Sequence, residues 1–230
     1  MQIHPNIQII DLAIYLEKEK TLVFGDLHLG YEASLNKKGV LIPKFNFQEM
    51  KERLNKIFQS LDIEKIVLNG DIKHDFAKIE EETWRDTLKL IDFLKEKASV
   101  ILIKGNHDTF TPQIAKKRNL KLEDYIYFKD TCILHGDKIL KKIKPAKILI
   151  MGHEHPAISF QNRPDKFKCF LKGKYKDKIL ISMPSFHKLT IGSDIKKEKL
   201  LSPFLTQDLN NFEIYIVEDK PYYFGRLKDL

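Results

Sequence analysis

Short apolar runs separated by polar turns make up most of this chain. Runs of four or five aliphatic and aromatic residues are too short for helices, and they predict buried strands. Two longer stretches repeat apolar residues at three- and four-residue spacing, which predicts amphipathic helices. The predicted strands are 7–10, 12–16, 21–24, 65–68, 99–103, 125–128, 131–134, 148–151, 157–160, 167–171, 179–183, 212–217 and 222–227.

The first predicted helix begins at Asn46, a residue type that favours helix N-termini, with Glu49 three positions later. The second covers residues 79–97, and Pro112 indicates that a third helix starts at Thr111. The apolar faces of the first two helices carry Met50, Leu54, Ile57, Phe58 and Leu61, and Trp84, Leu88, Ile91 and Leu94.

The order of these elements predicts an α/β fold. Two strand–helix–strand passages come first, and short strands dominate from residue 122 onward. Because sheet faces and helix stripes must be buried against other elements, this order favours a four-layer α-β-β-α sandwich of two packed mixed sheets with flanking helices. No Gly/Ser-rich linker interrupts the sequence, so residues 1–230 are expected to form a single domain. The role of the irregular segment 191–211 stays open.

The composition, with 43% hydrophobic and 31% charged residues, is typical of a soluble globular protein. No apolar run approaches the roughly 20 residues that cross a bilayer. The N-terminus lacks the basic start and apolar stretch of a signal peptide, so a cytoplasmic protein without membrane contact is expected. Cys132 and Cys169 lie in apolar runs and are expected to be buried, unpaired thiols.

The net charge is +8, and only five of the 40 basic residues are arginine. A composition rich in Lys and Ile suits a thermophile or an AT-rich genome. The charge excess is compatible with a solvated lysine surface and equally with attraction to polyanions such as nucleic acid.

The stretch Lys104-Gly105-Asn106-His107-Asp108 places an amide, an imidazole and a carboxylate directly after the predicted strand 99–103. In α/β sheets, functional sites form beyond the carboxyl ends of strands. Similar polar motifs follow four more predicted strands, so we expect them to converge. These motifs are Asp26-Leu-His28, Gly70-Asp71-Ile-Lys-His74, His135-Gly136 and Gly152-His153-Glu-His155.

Asp, His and Asn side chains together suit divalent ions such as Mn²⁺, Fe²⁺, Zn²⁺ or Ni²⁺. The donors are too many for one ion, and they suit two ions with one bridging carboxylate. Such pairs of ions activate a water and clamp both oxygens of an in-line displacement, for which a phosphate ester is the natural substrate.

The ordered series Asp-x-His, Gly-Asp-x-x-His, Gly-Asn-His-Asp, His-Gly and Gly-His-x-His resembles the calcineurin-like metallophosphoesterase superfamily. Each motif alone occurs by chance, whereas all five in order, over residues 23–155, are specific. Ser202-Pro-Phe-Leu and Asp26-Leu-His-Leu-Gly-Tyr-Glu further resemble the ICC-like branch. That branch includes DNA-ligase-associated endonucleases and archaeal phosphodiesterases.

The resemblance implies the metallophosphatase fold and two divalent ions, Mn²⁺ before the alternatives Fe, Zn, Ni and Mg. The first ion would be held by Asp26, His28 and His155, and the second by Asn106, His135 and His153, with Asp71 bridging.

The resemblance also implies that His107 faces the substrate as a general acid or phosphate stabiliser, and that Asp108 orients its ring. Many relatives carry an acidic residue or Asn where this chain has His74. We expect His74 to support a metal ligand, with a substrate contact or no role as alternatives.

These inferences predict a phosphodiesterase that uses a metal-activated water, with a nuclease acting on DNA or RNA as one form. A small-molecule phosphomonoesterase or a nucleotide hydrolase is the main alternative, since loops decide substrate choice. A non-catalytic metal-binding scaffold is a further alternative, against which His107 argues. The oligomeric state stays open, with a homodimer among the alternatives.

Overall fold

The first of two β-sheets has seven strands among the residues that the computed structural model describes, which are 1–41, 46–74, 81–160 and 165–230. Its strands lie side by side in chain order. β1 to β4 are antiparallel, whereas β4 to β7 run parallel. The strands are β1 Gln2–His4, β2 Ile7–Ile10, β3 Ala13–Leu16, β4 Thr21–Phe24, β5 Lys65–Asn69, β6 Ser99–Ile103 and β7 Lys121–Glu123.

The second sheet is mixed, and nine of its strands fall within the described part of the chain. β9, β10 and β13 are parallel neighbours, while the pairs β8–β9, β12–β13, β12–β15 and β15–β16 are antiparallel. The strands are β8 Tyr125–Phe128, β9 Thr131–Leu134, β10 Ile148–Met151, β11 Pro156–Ser159, β12 Lys166–Tyr175, β13 Lys178–Ser182, β14 Ser193–Asp194, β15 Glu213–Val217 and β16 Pro221–Arg226.

Four α-helices lie in the described ranges: α1 Tyr31–Lys37, α2 Asn46–Ser60, α3 Glu81–Lys95 and α4 Thr111–Arg118. Two 3-10 turns, Lys141–Ile143 and Leu227–Asp229, accompany them. α3 packs against β6 and α4 against β7. The apolar residues of α2 belong to the large apolar cluster that also contains residues of α3 and of both sheets. α3 and α4 therefore cover part of the first sheet.

The predicted sandwich of two packed mixed sheets with flanking helices is confirmed, and an irregular segment adds to its outer cover. A second apolar cluster on the outer face of the second sheet is covered by the irregular segment that includes Phe204, Leu205 and Leu209. These side chains are almost fully buried. The segment 191–211 thus serves as the outer layer over this sheet.

Most predicted elements are confirmed within one or two residues. The structure adds α1, in a stretch that the pattern left without an element, and the short strands β1, β7 and β14. The side chain of Asn46, residues 79 and 80 of the predicted second helix, and Arg163 lie outside the described residues. Cys132 and Cys169 are buried free thiols, as expected.

Five strands end at one edge of the sandwich. β4, β5 and β6 are in parallel register in the first sheet, and β9 and β10 are in parallel register in the second. Each of these strands is followed by one of the polar motifs. The parallel register therefore places all five motifs at the same edge, between the two sheets.

Among the helices of the described residues, none is both long enough and apolar enough to span a bilayer.

Candidate metal centre

The polar motifs converge into two clusters of donor atoms, each within 4.8 Å. Asp26, His28 and His155 form the first cluster, and Asp71, His135 and His153 form the second. The first cluster is the group that the resemblance implied for the first ion, and the second contains His135 and His153 of the group implied for the second ion, together with Asp71. The bridging role of Asp71 stays a prediction.

Each cluster takes ligands from both sheets. Asp26 and His28 follow β4 and Asp71 follows β5, all in the first sheet, whereas the other three histidines follow strands of the second sheet. A shared ion in either cluster would therefore link the two sheets.

The spacing in the first cluster fits a divalent ion. Nε2 of His28 lies 3.4 Å from Nε2 of His155, and Oδ1 of Asp26 lies 3.3 Å from the same His155 atom. Two nitrogens bound tetrahedrally to one ion at about 2.0–2.1 Å would lie about 3.3 Å apart. Oδ1 of Asp26 has no hydrogen-bond partner among the described residues. These three atoms are thus spaced as a first coordination shell.

Asn106 lies next to the second cluster and contacts one of its histidines. Nε2 of His135 lies 2.9 Å from Oδ1 of Asn106 and 3.5 Å from Oδ2 of Asp71. Nδ1 of His135 lies 3.7 Å from Oδ1 of Asp26, so this imidazole stands between the two clusters. All seven predicted ligands therefore meet in one region of the structure.

The protonation states also suit metal binding. Burial and the nearby His155 lower the pKa of His28 to about 3, and burial and the nearby His135 lower the pKa of His153. Burial opposes ionisation of Asp71, but hydrogen bonding to His135 holds the pKa of this carboxyl below its usual range. Two neutral imidazoles and an ionised carboxylate are the forms that bind a cation.

His135 differs from the other histidines. Burial acts against its charged form, but the hydrogen bond to Asp71 and the charge of Asp26 outweigh it and raise the pKa to about 9. An ion that takes His135 as a ligand must displace this proton.

Gly70 explains why a glycine precedes Asp71. Its φ is +77°, and a Cβ at this position would lie 2.2 Å from Nδ1 of His135. Any other residue would therefore collide with a predicted metal ligand and strain the backbone.

Asp108 contacts other groups than the resemblance implies. Its carboxylate accepts hydrogen bonds from the backbone N–H groups of Asp71 (2.9 Å), Ile72 (3.1 Å) and Gly105 (2.8 Å). It is fully buried. These contacts join the loops after β5 and β6, so Asp108 positions the backbone of Asp71.

The ring of His107 forms a hydrogen bond with the backbone carbonyl of His74. Nδ1 of His107 lies 2.8 Å from this oxygen and must carry the hydrogen, because a carbonyl only accepts. Nε2 then points the other way, 3.8 Å from Oδ2 of Asp71. The backbone of His74 thus takes the orienting role that was expected of Asp108.

The side chain of His74 packs among site residues. Its ring centroid lies 5.6 Å from that of His28 and 4.7 Å from that of Tyr31. Its ring stacks on His107 at 6.2 Å. His74 accordingly supports two site histidines.

Sequence reasoning missed several residues that hold the site. Ser185 donates to the carbonyl of Asp26 (2.6 Å), and Lys168 donates to the carbonyl of Ser185 (2.8 Å). Nε2 of the buried His187 lies 3.7 Å from the carboxylate of Glu32. No periodic or motif signal marks these contacts, because their partners are far apart in the chain.

The calcineurin-like phosphoesterase family model matches residues 19–182. This match covers more than half of the chain, so the chain belongs to that family. The protein is accordingly a metal-dependent phosphoesterase of a family that uses a binuclear divalent metal centre.

A solved structure shares the fold. The chain is similar to the nuclease MPE of Pseudomonas putida, with a TM-score of 0.68 and 18% identity over 95% of this chain and 100% of that one. It is also similar to Vps29 of Chaetomium thermophilum, with a TM-score of 0.38 and 14% identity over 86% and 81%. A search of curated proteins found no match.

Proposed function

We propose that this protein is a phosphodiesterase that uses two Mn²⁺ ions and cleaves nucleic acid. The placement of His107 carries the proposal. Its side chain is 19% exposed and lies beside the second cluster, with Nε2 3.8 Å from Oδ2 of Asp71. A phosphate ester that reaches the clusters would pass this imidazole.

His107 suits the role of a proton donor. Its Nδ1 is held by the carbonyl of His74, which leaves Nε2 directed toward the clusters. Protonated at Nε2, the ring can donate to the leaving oxygen of an ester, and a sugar alkoxide needs this proton most. A non-catalytic scaffold would not require such a group.

The metal ions would be held by the two clusters, together with Asn106. When bound, they supply Lewis acidity and lower the pKa of the attacking water. Asp71 and Asp26 provide the negative charge that retains the cations. Asp108 and Ser185 hold the backbones of these two carboxylates in place.

The surface around the site supports an extended anionic substrate. Lys104 and Lys138 are exposed and lie within three residues of Asn106 and His135. Neither lysine has an ion-pair partner among the described residues. The whole chain carries a net charge of +8, which attracts polyanions. A nuclease with the same fold agrees with this choice of substrate.

Paired substrates test the phosphodiesterase proposal. The Mn²⁺-loaded protein should hydrolyse bis(4-nitrophenyl) phosphate faster than 4-nitrophenyl phosphate, measured as nitrophenolate release. Cleavage of labelled DNA and RNA oligonucleotides should then separate the nucleic-acid targets. A clear preference for the monoester would move the assignment to a small-molecule phosphatase.

The salt dependence of oligonucleotide binding tests the proposal that the substrate is nucleic acid. Each phosphate that a lysine neutralises releases counterions, so oligonucleotide binding should weaken steeply between 50 and 200 mM salt. Binding measured by fluorescence anisotropy with Ca²⁺ in place of Mn²⁺ would report affinity without turnover. Affinity that does not change with salt would contradict a nucleic-acid substrate.

A further inference from the structure

We propose that Glu154 and Ser202 are positioning residues that lock the two histidine-bearing loops of the second sheet together. The proposal rests on the binuclear metal centre of the proposed function. It concerns two residues outside the predicted ligand set, one of them between His153 and His155. We refer to Glu154, Ser202 and their shared hydrogen bonds as the 154–202 clamp.

Glu154 belongs to neither metal cluster. Its side chain is buried, and Oε2 accepts hydrogen bonds from the backbone N–H groups of Leu201 and Ser202, both at 2.7 Å. A carboxylate buried in this way is stabilised mainly by such N–H donors. The loop that follows β10 is thereby attached to the irregular segment that covers the second sheet.

Ser202 completes the connection to the other loop. Its hydroxyl is fully buried and donates to the carbonyl of Gly136 at 2.8 Å. Gly136 follows His135 directly and has a φ of +108°. One serine therefore contacts the loop of His135 through its hydroxyl and the loop of His153 and His155 through its N–H.

The clamp matters because its two loops supply three histidines to two clusters. His153 and His155 have left-handed φ values of 66° and 49°. Such backbone conformations are strained and persist only where surrounding contacts enforce them. The hydrogen bonds of Glu154 supply contacts of this kind at the residue between the two histidines.

Loss of the 154–202 clamp should weaken the binding of metal ions. Removal of groups that orient metal ligands typically costs about 10–100-fold in metal affinity. We expect Glu154→Ala and Ser202→Ala to raise the Mn²⁺ dissociation constant by such a factor, measured by calorimetry on metal-free protein. The double variant should lose less than the product of the two single effects, because both residues serve one connection.

Two further variants separate positioning from charge and from general stability. Glu154→Gln keeps an oxygen that can accept from both N–H groups, so its Mn²⁺ affinity should stay near that of the parent. Asp208→Ala is the matched control, because Asp208 in the same segment accepts from the N–H of Asn210 at 2.9 Å in an exposed position. This variant should bind Mn²⁺ like the parent.

The electron paramagnetic resonance spectrum provides a readout that a merely structural role would not change. The fully loaded parent should show a spin-coupled Mn²⁺ pair, and Glu154→Ala should weaken or lose this coupling. A parental spectrum and parental affinity in Glu154→Ala would overturn the proposal, even with a lower melting temperature. Ser202→Ala provides the same test if Glu154→Ala does not fold.

The number of ions bound by the parent protein distinguishes failure of the binuclear centre from failure of the clamp proposal alone. If the parent binds fewer than two ions per chain, the binuclear centre of the proposed function fails and the clamp proposal fails with it. If the parent binds two coupled ions and all clamp variants behave like it, only the clamp proposal fails.

Discussion

At the scale of the residue, the predicted ligands occupy strained backbone. Five of the seven, namely Asp26, His28, Asp71, His153 and His155, have φ values between 41° and 66°. Asp, Asn and His tolerate the left-handed region better than other residues with a Cβ, although each position still costs about 1–3 kcal/mol. This strain turns the side chains away from the strand direction and toward a common point.

Substitution of His107 by Ala should leave both ions bound and remove most of the turnover. General acid–base help is typically worth about 10²–10⁴ in rate. The loss should be larger for a diester with an alkoxide leaving group than for a nitrophenyl ester, which hardly needs a proton. Turnover on both substrates and metal content by elemental analysis would check this.

Asn106→Ala serves as the comparison for His107→Ala. Its amide oxygen lies 2.9 Å from a ring nitrogen of His135, so this variant should weaken one ion. If His107→Ala loses metal as readily as Asn106→Ala, the imidazole is a ligand and the proposed role fails.

Asp71→Ala should abolish binding of both ions. The carboxylate belongs to the second cluster and also lowers the local potential around His135 and His28. Calorimetric titration with Mn²⁺ would measure the loss. One ion retained at parental affinity would show that Asp71 does not bridge.

At the scale of the element, the segment after β13 fixes the loop of Asp26. The N–H of Phe186 donates to the carbonyl of Gly25 (3.1 Å), and the N–H of Met183 donates to the carbonyl of Met151 (2.7 Å). The ammonium of Lys168, on β12, donates to the carbonyl of Ser185. One lysine thus stabilises a segment that contacts loops of both sheets.

The titration of Lys168 should make the free energy of unfolding depend on pH. Burial of the ammonium, followed by repulsion from Arg53, lowers its pKa from 10.5 to about 7. Between these pH values the unfolded chain binds the proton and the folded chain does not. This difference makes the free energy of unfolding rise with pH from about 7 toward 10.5, and the gain is absent below about 7.

Lys168→Met removes this titration and provides the test. Denaturant unfolding at pH 6 to 10 should show a smaller rise with pH in the variant than in the parent. The variant also leaves the carbonyls of Ser185 and His187 without this donor, so at pH 9 to 10, where the folded parent holds a neutral lysine, it should be less stable than the parent. Parallel pH profiles for the two proteins would contradict a lowered pKa.

At the scale of the whole molecule, metal binding joins the two sheets. Each cluster takes a carboxylate from the first sheet and at least one histidine from the second. The unfolded chain holds no such preformed sites, so the free energy of binding adds to the free energy of unfolding.

Loading with Mn²⁺ should therefore raise the melting temperature substantially. An ion present at 100 times its dissociation constant adds about 2.7 kcal/mol. Two ions should shift the midpoint of a chain of this size by about 10–20 °C relative to EDTA-treated protein. Asp71→Ala is the control and should show little shift; an equally large shift in this variant would place the ions elsewhere.

The sequence by itself determined the strands, the main helices and the composition of the site. Alternating and three- to four-residue apolar spacing is local, so β4, β5, β6, β9 and β10 could be located without coordinates. Because parallel strands end at one edge, the positions of Asp26, Asp71, Asn106, His135 and His153 followed from the same pattern.

Some local elements were nevertheless missed. α1 has only seven residues, and β1 and β7 have three each, too few for a period to show. The part of the outer cover that contains Phe204, Leu205 and Leu209 forms no helix or strand, and only its burial identifies it.

Only the tertiary structure decided which groups support the ligands. Asp108 contacts Asp71, 37 positions earlier, Ser202 contacts Gly136 across 66 positions, and Ser185 contacts Asp26 across 159. These contacts satisfy buried N–H and C=O groups that the loops expose where the strands end. Which donor meets which acceptor depends on how the two sheets pack, and no local pattern in the chain encodes that distance.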